Sequence, residues 1–171
     1  AALRAHPERR GVVLDLRANP GGYLDEAVDA AGALLDGGPV VTYARRGYPA
    51  RTLSAARGGD TVTPVVVLVD GGTASAAEAF AAALQDRGRA VVVGSRTYGK
   101  AAVQEPAPLS DGSSLQLTVG GYVTPAGRDL EGVGVEPDVV VPPGAPAATA
   151  HRRALDVLSG LMAGLDSRKW E

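Results

Sequence analysis

Val65-Val66-Val67-Leu68-Val69-Asp70-Gly71-Gly72-Thr73-Ala74-Ser75-Ala76-Ala77-Glu78 joins an unbroken apolar run, a turn of small residues and the start of an alanine-rich segment. A β-branched run without polar alternation marks a strand buried on both faces, as in a sheet covered by helices. Residues 75–87 then have the composition of a helix, which Gly88 stops, and Ala90-Val91-Val92-Val93 is a further buried strand. Working back, Val12-Val13-Leu14-Asp15-Leu16 reads as another short strand, broken by Asn19-Pro20-Gly21-Gly22. Leu24, Ala27, Val28, Ala31, Leu34 and Leu35 recur at helical spacing up to Gly37-Gly38. Asp25 and Glu26 fall in the first turn of that helix, where its dipole favours acids. Val40 to Ala44 is a candidate strand, and Arg45 to Thr63 a polar loop or loose hairpin. Ala1 to Arg10 reads as the end of a helix that begins upstream. Alternation of strand and helix up to Lys100 predicts an α/β fold with a layered, mostly parallel sheet.

Beyond Lys100 the texture changes. Val103 to Pro106, Ser114 to Val119 and Gly121 to Thr124 read as short strands, with turns at Ser110-Asp111-Gly112 and Pro125-Ala126-Gly127. Val139-Val140-Val141 is expected to close this small β-rich part. Pro142-Pro143-Gly144-Ala145-Pro146 is a linker, and a last helix runs from Ala147 to about Leu165, with Asp166 to Glu171 fraying. The expected division is a core over 1–141, a linker over 142–146, and a C-terminal helix and tail over 147–171. There is no internal repeat.

The chain has 171 residues, 45% hydrophobic and 21% charged, enough for one domain with a real core. A net charge of -2 gives no electrostatic reason to expect nucleic acid or an acidic membrane surface. Cysteine is absent, which excludes disulfides and thiolate metal sites. No metal or other cofactor is expected. No apolar run has the length of a membrane span and no signal peptide is visible. The chain opens on Ala1-Ala2-Leu3-Arg4 without methionine, as expected of a piece of a longer protein.

Of 17 basic residues only Lys100 and Lys169 are lysine. Arginine holds its proton in a protein, whereas a desolvated lysine gives it up. A serine hydroxyl is a poor nucleophile until a base takes its proton, and Lys100, in Thr97-Tyr98-Gly99-Lys100, is a candidate base for Ser75. The bland alternatives are a surface lysine and a helix-capping serine or threonine. His6 and His151 lie near opposite ends, outside every motif, so a Ser-His-Asp triad is not expected. Ser75 at a strand-to-helix turn places helix N-terminal N–H groups beside its hydroxyl, where they stabilise an oxyanion. Gly21 or Gly22 is positioned to add a second donor, unless Pro20-Gly21-Gly22 is only a tight turn. Gln104, four residues beyond Lys100, is placed to orient its amine or simply to face water. Gly94 to Ala101 has phosphate-loop spacing, but Ala101 stands where such a loop needs a magnesium-binding hydroxyl, and no helix follows.

Three segments together resemble the carboxyl-terminal processing proteases, also called tail-specific proteases. They are Asp15 to Gly22 (Asp-Leu-Arg-x-Asn-Pro-Gly-Gly), Thr73 to Glu78 around the serine, and Tyr98 to Gln104 around the lysine. The Ser75-to-Lys100 interval matches the family's, and Leu115 to Val119, Tyr122 to Arg128 and Gly134 to Asp138 are also similar to family sequence. The resemblance covers roughly residues 5–141, with Ala77 and Ala101 replacing a usual serine and glycine. It implies a crotonase/ClpP-like ββα fold and a serine endopeptidase with a Ser75-Lys100 dyad oriented by Gln104. It also implies an oxyanion hole from the N–H groups of Ala76 and of Gly21 or Gly22. The implied substrates are proteins with apolar, flexible C-terminal tails. The family further implies a PDZ domain upstream, allows an oligomer, and places the full-length protein outside the cytoplasm, membrane-anchored or secreted. The rival readings are a non-catalytic binding module and a crotonase-like acyl-CoA enzyme, which would use the backbone donors without the lysine.

Overall fold

The computed structural model describes residues 5–6 and 8–167. The Val65–Val69 run is β4, fully buried along its length. It sits inside a four-stranded parallel sheet of order β1-β4-β5-β8, where β1 is Val12–Asp15, β5 Val91–Gly94 and β8 Val139–Val140. Side chains alternate across a strand, so β4 feeds two cores. Val65, Val67 and Val69 join a cluster with helices α1 (Leu24–Gly32) and α2 (Ala76–Asp86). Val66 and Leu68 join a second cluster under helix α3 (Ala147–Ser167), with Ala150, Ala154 and Leu158. Burial of a Val or Leu side chain stabilises by about 1.5–3 kcal/mol, which is why this strand carries no polar residue on either face. Among the described residues, no helix is long and apolar enough to cross a membrane.

The other four strands form an antiparallel sheet of order β3-β2-β7-β6: β2 Gly38–Arg45, β3 Arg51–Ala55, β6 Ala102–Pro108 and β7 Ser114–Val123. Of the two readings of Arg45 to Thr63, the hairpin holds: β3 is an edge strand paired with β2 through a register shift between Pro39 and Val41, and Thr52 meets Thr42 across it, hydroxyl to hydroxyl at 2.9 Å. Two other expectations are corrected. The two short strands expected over 114–124 are one strand, β7, whose register against β6 shifts beside Gly120, where it passes close to β2. A Cβ on Gly120 would stand 2.1 Å from the Ala44 carbonyl oxygen, so only glycine allows that approach. Val139–Val140 pairs parallel to β5 and closes the parallel sheet rather than the antiparallel one.

Helix α1 ends at Gly32, earlier than its apolar periodicity suggests. Other segments take the next carbonyls: Asp60 N–H donates to Ala33 O at 2.9 Å and Arg89 Nε to Leu34 O at 2.8 Å. The expected helix over 1–10 lies in part, and the tail beyond Ser167 wholly, outside the described residues.

Asp60 fastens the loop before β4. Burial raises its pKa, but this is outweighed by the Thr63 and Val62 N–H groups at 2.9 and 3.1 Å, the Thr63 hydroxyl at 2.7 Å, and the Arg9 guanidinium. The result is a carboxyl held far below the ordinary range. A depressed native pKa contributes stability that is present above the unfolded value of about 3.9 and is lost as pH falls through the native one. Asp60→Asn is therefore expected to lower the denaturation midpoint at pH 7 and to flatten its fall under acid. Parallel curves for the two proteins from pH 7 to pH 2 would refute this.

Candidate active site

Strand β4 delivers the chain to Asp70, and the turn that follows is fixed before α2 begins. Asp70 Oδ1 accepts the N–H groups of Gly72 and Ala18, each at 2.9 Å, which ties the turn to the loop after β1. Thr73, fully buried, donates its hydroxyl to Leu16 O at 2.8 Å, and Ala74 N–H donates to Asn19 O at 2.9 Å. Ser75 follows at φ 57, ψ −126, a conformation that a non-glycine residue adopts only under constraint.

The constraint is Glu78, a carboxylate with no exposed surface. Its Oε2 accepts the N–H of Ser75 at 2.8 Å and of Lys100 at 2.9 Å. Its Oε1 accepts the N–H of Gly99 at 2.8 Å and the hydroxyl of Thr97. Thr97 Oγ1 in turn accepts Val135 N–H at 2.7 Å. One side chain thus binds the backbone of the serine turn to that of the lysine loop. Glu131 continues the work: its Oε2 accepts the N–H groups of Ala101 and Ala102, both at 2.6 Å. Tyr122, on β7, is 4% exposed and its hydroxyl lies 2.7 Å from Ser75 O and 2.9 Å from Lys100 O. Burial, followed by the nearby carboxylates of Glu78 and Glu131, pushes its phenol pKa well above the ordinary value, so it serves as a neutral donor.

Ser75, Ala76, Gly22, Lys100 and Gln104 line one cavity of about 510 Å³, floored by Tyr122 and the antiparallel sheet. Gly21 lies behind it: its φ is +95, and a Cβ there would stand 2.7 Å from Ala74 O and 2.9 Å from Ala76 N, so the loop rests directly on the serine turn. Gly21 N–H donates to Asn19 Oδ1 at 2.9 Å. The N–H groups of Gly22 and Ala76 have no partner among the described residues. Lys100 and Gln104 are exposed at the cavity wall and Ser75 is half-buried. No hydrogen bond joins Ser75 Oγ to the Lys100 amine, or that amine to Gln104. Gly94 to Ala101 runs into strand β6, not into a helix, which removes the phosphate-loop reading.

The sequence reading assigned no role to Glu78, Tyr122, Glu131 or Asp70. Glu78 carried a usable signal, since Ser75-x-x-Glu78 has capping-box spacing and the acid stands alone among alanines. Asp70 stands before Gly71-Gly72, where an acid commonly accepts the N–H two residues on, whereas Tyr122 and Glu131 act across long sequence separations and carried no signal.

The model of peptidase family S41 matches residues 1–141. The chain belongs to peptidase family S41. A carboxy-terminal-processing protease of Bartonella bacilliformis is 42% identical over 134 residues, 77% of this chain and 31% of its own length. A chloroplastic C-terminal processing peptidase of Tetradesmus obliquus is 45% identical over 135 residues, 78% of this chain and 29% of its own. The structure of a photosystem II D1 C-terminal processing protease superposes with a TM-score of 0.76 at 42% identity, covering 82% of this chain and 37% of that one. Tricorn protease shares the fold at a TM-score of 0.58 and 19% identity, over 92% of this chain and 15% of its own. The chain therefore spans about a third of the length of the S41 relatives it matches.

Proposed function

We propose that this chain is the catalytic core of a serine endopeptidase of the carboxyl-terminal processing kind, with Ser75 as nucleophile and Lys100 as base. One observation carries the reading: the Glu78 carboxylate holds the backbone of both residues, with Ser75 N–H and Lys100 N–H on the same oxygen at 2.8 and 2.9 Å. A carboxylate buried at such cost is well used where it fixes two groups relative to each other.

In the proposed cycle the neutral Lys100 amine takes the Ser75 hydroxyl proton as Oγ attacks the peptide carbonyl carbon. The oxyanion is held by the N–H groups of Ala76 and Gly22. Gly22 is preferred over Gly21, whose N–H is already given to Asn19. The protonated amine then passes its proton to the leaving nitrogen, the C–N bond breaks, and Ser75 is left as an ester. Water, deprotonated by the same amine, hydrolyses the ester and returns the proton to Oγ. Gln104, on the strand that Lys100 leads into, orients the amine, and substrate closing over Lys100 excludes bulk water from the step. The substrate is a protein with an apolar, flexible C-terminal segment, bound in extended form against the sheet. An upstream PDZ domain, an oligomer and a place outside the cytoplasm in the longer protein belong to the same proposal.

The test is covalent labelling by a serine-directed diphenyl phosphonate, followed by peptide mapping. The wild-type chain is expected to carry the adduct on Ser75, and Ser75→Ala to take none. An adduct elsewhere, or equal labelling of the variant, would remove Ser75 as nucleophile.

A further inference from the structure

The antiparallel sheet does more than floor the cavity. Arg51 begins the edge strand β3 and stands opposite Tyr43 of β2, which stands opposite Tyr122 of β7. Directly opposed residues of an antiparallel ladder share a face. The Tyr122 hydroxyl meets Ser75, so Tyr43 and Arg51 extend a row from the serine to the sheet edge, and all three line the same cavity.

The charges along that cavity are unequal in their partners. Glu105 is paired with Arg45 at 3.1 Å. Asp25 lies in the first turn of α1, where the helix dipole accommodates an acid. The Arg51 side chain makes no ion pair and no hydrogen bond among the described residues, and Lys100, the other cation of the cavity, is taken up by the proposed reaction. An arginine on an edge strand commonly just deters sheet-to-sheet pairing. Here it is exposed at the cavity wall beside Leu53, Tyr43, Leu24 and Tyr23, where its guanidinium is open to a planar carboxylate through two parallel hydrogen bonds.

The spacing sets where that carboxylate falls. Two strand separations put the Arg51 Cα about 10 Å from that of Tyr122, and an extended peptide covers that distance in about three residues. We propose that Arg51 is a carboxylate-binding subsite of the substrate groove. It selects peptides that carry a negative group about three residues from the bond at Ser75. The group is either the free C-terminus or an Asp or Glu side chain. This rests on the serine-endopeptidase reading of the site for its catalytic meaning, but not for the binding itself.

The experiment measures equilibrium binding of fluorescein-labelled apolar hexapeptides by anisotropy. Four endings are compared at the position three residues from the central bond: free carboxylate, amide, Glu with an amidated terminus, and Gln with an amidated terminus. Wild-type chain is expected to bind one or both carboxylate peptides at least about tenfold more tightly than their neutral counterparts. Arg51→Ala is expected to lose that ratio, and Arg51→Glu to reverse it in favour of a Lys-bearing peptide. Thermal melting checks that both variants fold as wild type does. Preference for the free carboxylate alone identifies a terminal group, and equal preference for Glu identifies the side chain as sufficient. Equal binding of charged and neutral peptides, a preference that survives in Arg51→Ala, or no binding of any carboxylate peptide overturns the proposal. Phosphonate labelling of the same wild-type sample reports separately on Ser75, so failure of the peptidase reading is distinguishable from failure of the subsite.

Discussion

Glu78→Gln is expected to destabilise the folded chain by about 2–6 kcal/mol, through two buried donors left without acceptors, and to abolish phosphonate labelling of Ser75. The carboxylate receives donors on both oxygens and offers none itself: Ser75 and Lys100 N–H on one, Gly99 N–H and the Thr97 hydroxyl on the other. An amide keeps one oxygen and turns an NH₂ group towards the other pair. In one orientation it faces Ser75 and Lys100, in the other Gly99 and Thr97, whose hydroxyl proton then loses its acceptor. Either way donors meet donors inside the core, where water does not replace the lost bonds. The loss is a large share of the total stability of a domain, about 5–15 kcal/mol. Urea denaturation reads the first effect, and labelling at low temperature, normalised to the folded fraction, reads the second. A Glu78→Gln chain that unfolds at the wild-type midpoint and labels at the wild-type rate would show that the staple holds nothing.

Lys100→Met should separate chemistry from stability. The side chain is exposed at the cavity wall, and its backbone N–H and carbonyl, which do hold the loop to Glu78 and Tyr122, remain in place. A surface substitution of this kind changes stability by no more than about 0.5 kcal/mol. Removing a general base slows the step it assists by about 10²–10⁴-fold, and the rate of Ser75 labelling is expected to fall within that range. Methionine keeps all but the last atom of the side chain, so steric loss does not account for the fall. Wild-type labelling rates in Lys100→Met would assign the proton to another group, and an unfolded variant would contradict the placement of the side chain outside the core. Together the two substitutions distinguish a residue that positions the site from one that acts in it.

What could be read without coordinates was local or repeated. Val65 to Val69 declares itself because a strand buried on both faces has no room for polarity, and α2 because alanines follow a small-residue turn. Ser75 and Lys100 stood out because each sits in a short motif and lysine is otherwise confined to Lys169. Sheet membership was harder. β3 lay hidden in a polar stretch whose pairing partner supplies the order, and Val139–Val140 has the same composition whichever sheet it joins. Partner choice between strands depends on contacts far apart in sequence, and composition holds no record of them.

The site divides along the same line. The amino-acid sequence by itself determined the α/β character, the strand-to-helix turn that carries Ser75, and the motifs that mark the chain as an S41 member. These follow from short-range sterics, hydrophobic period and local spacing. Only the tertiary structure decided that Glu78 joins the two loops and that Tyr122 holds their carbonyls. Both depend on partners more than twenty residues apart in the sequence. Those outcomes are hydrogen-bond allocations, and an allocation is settled only when folding brings every competing donor and acceptor to one place.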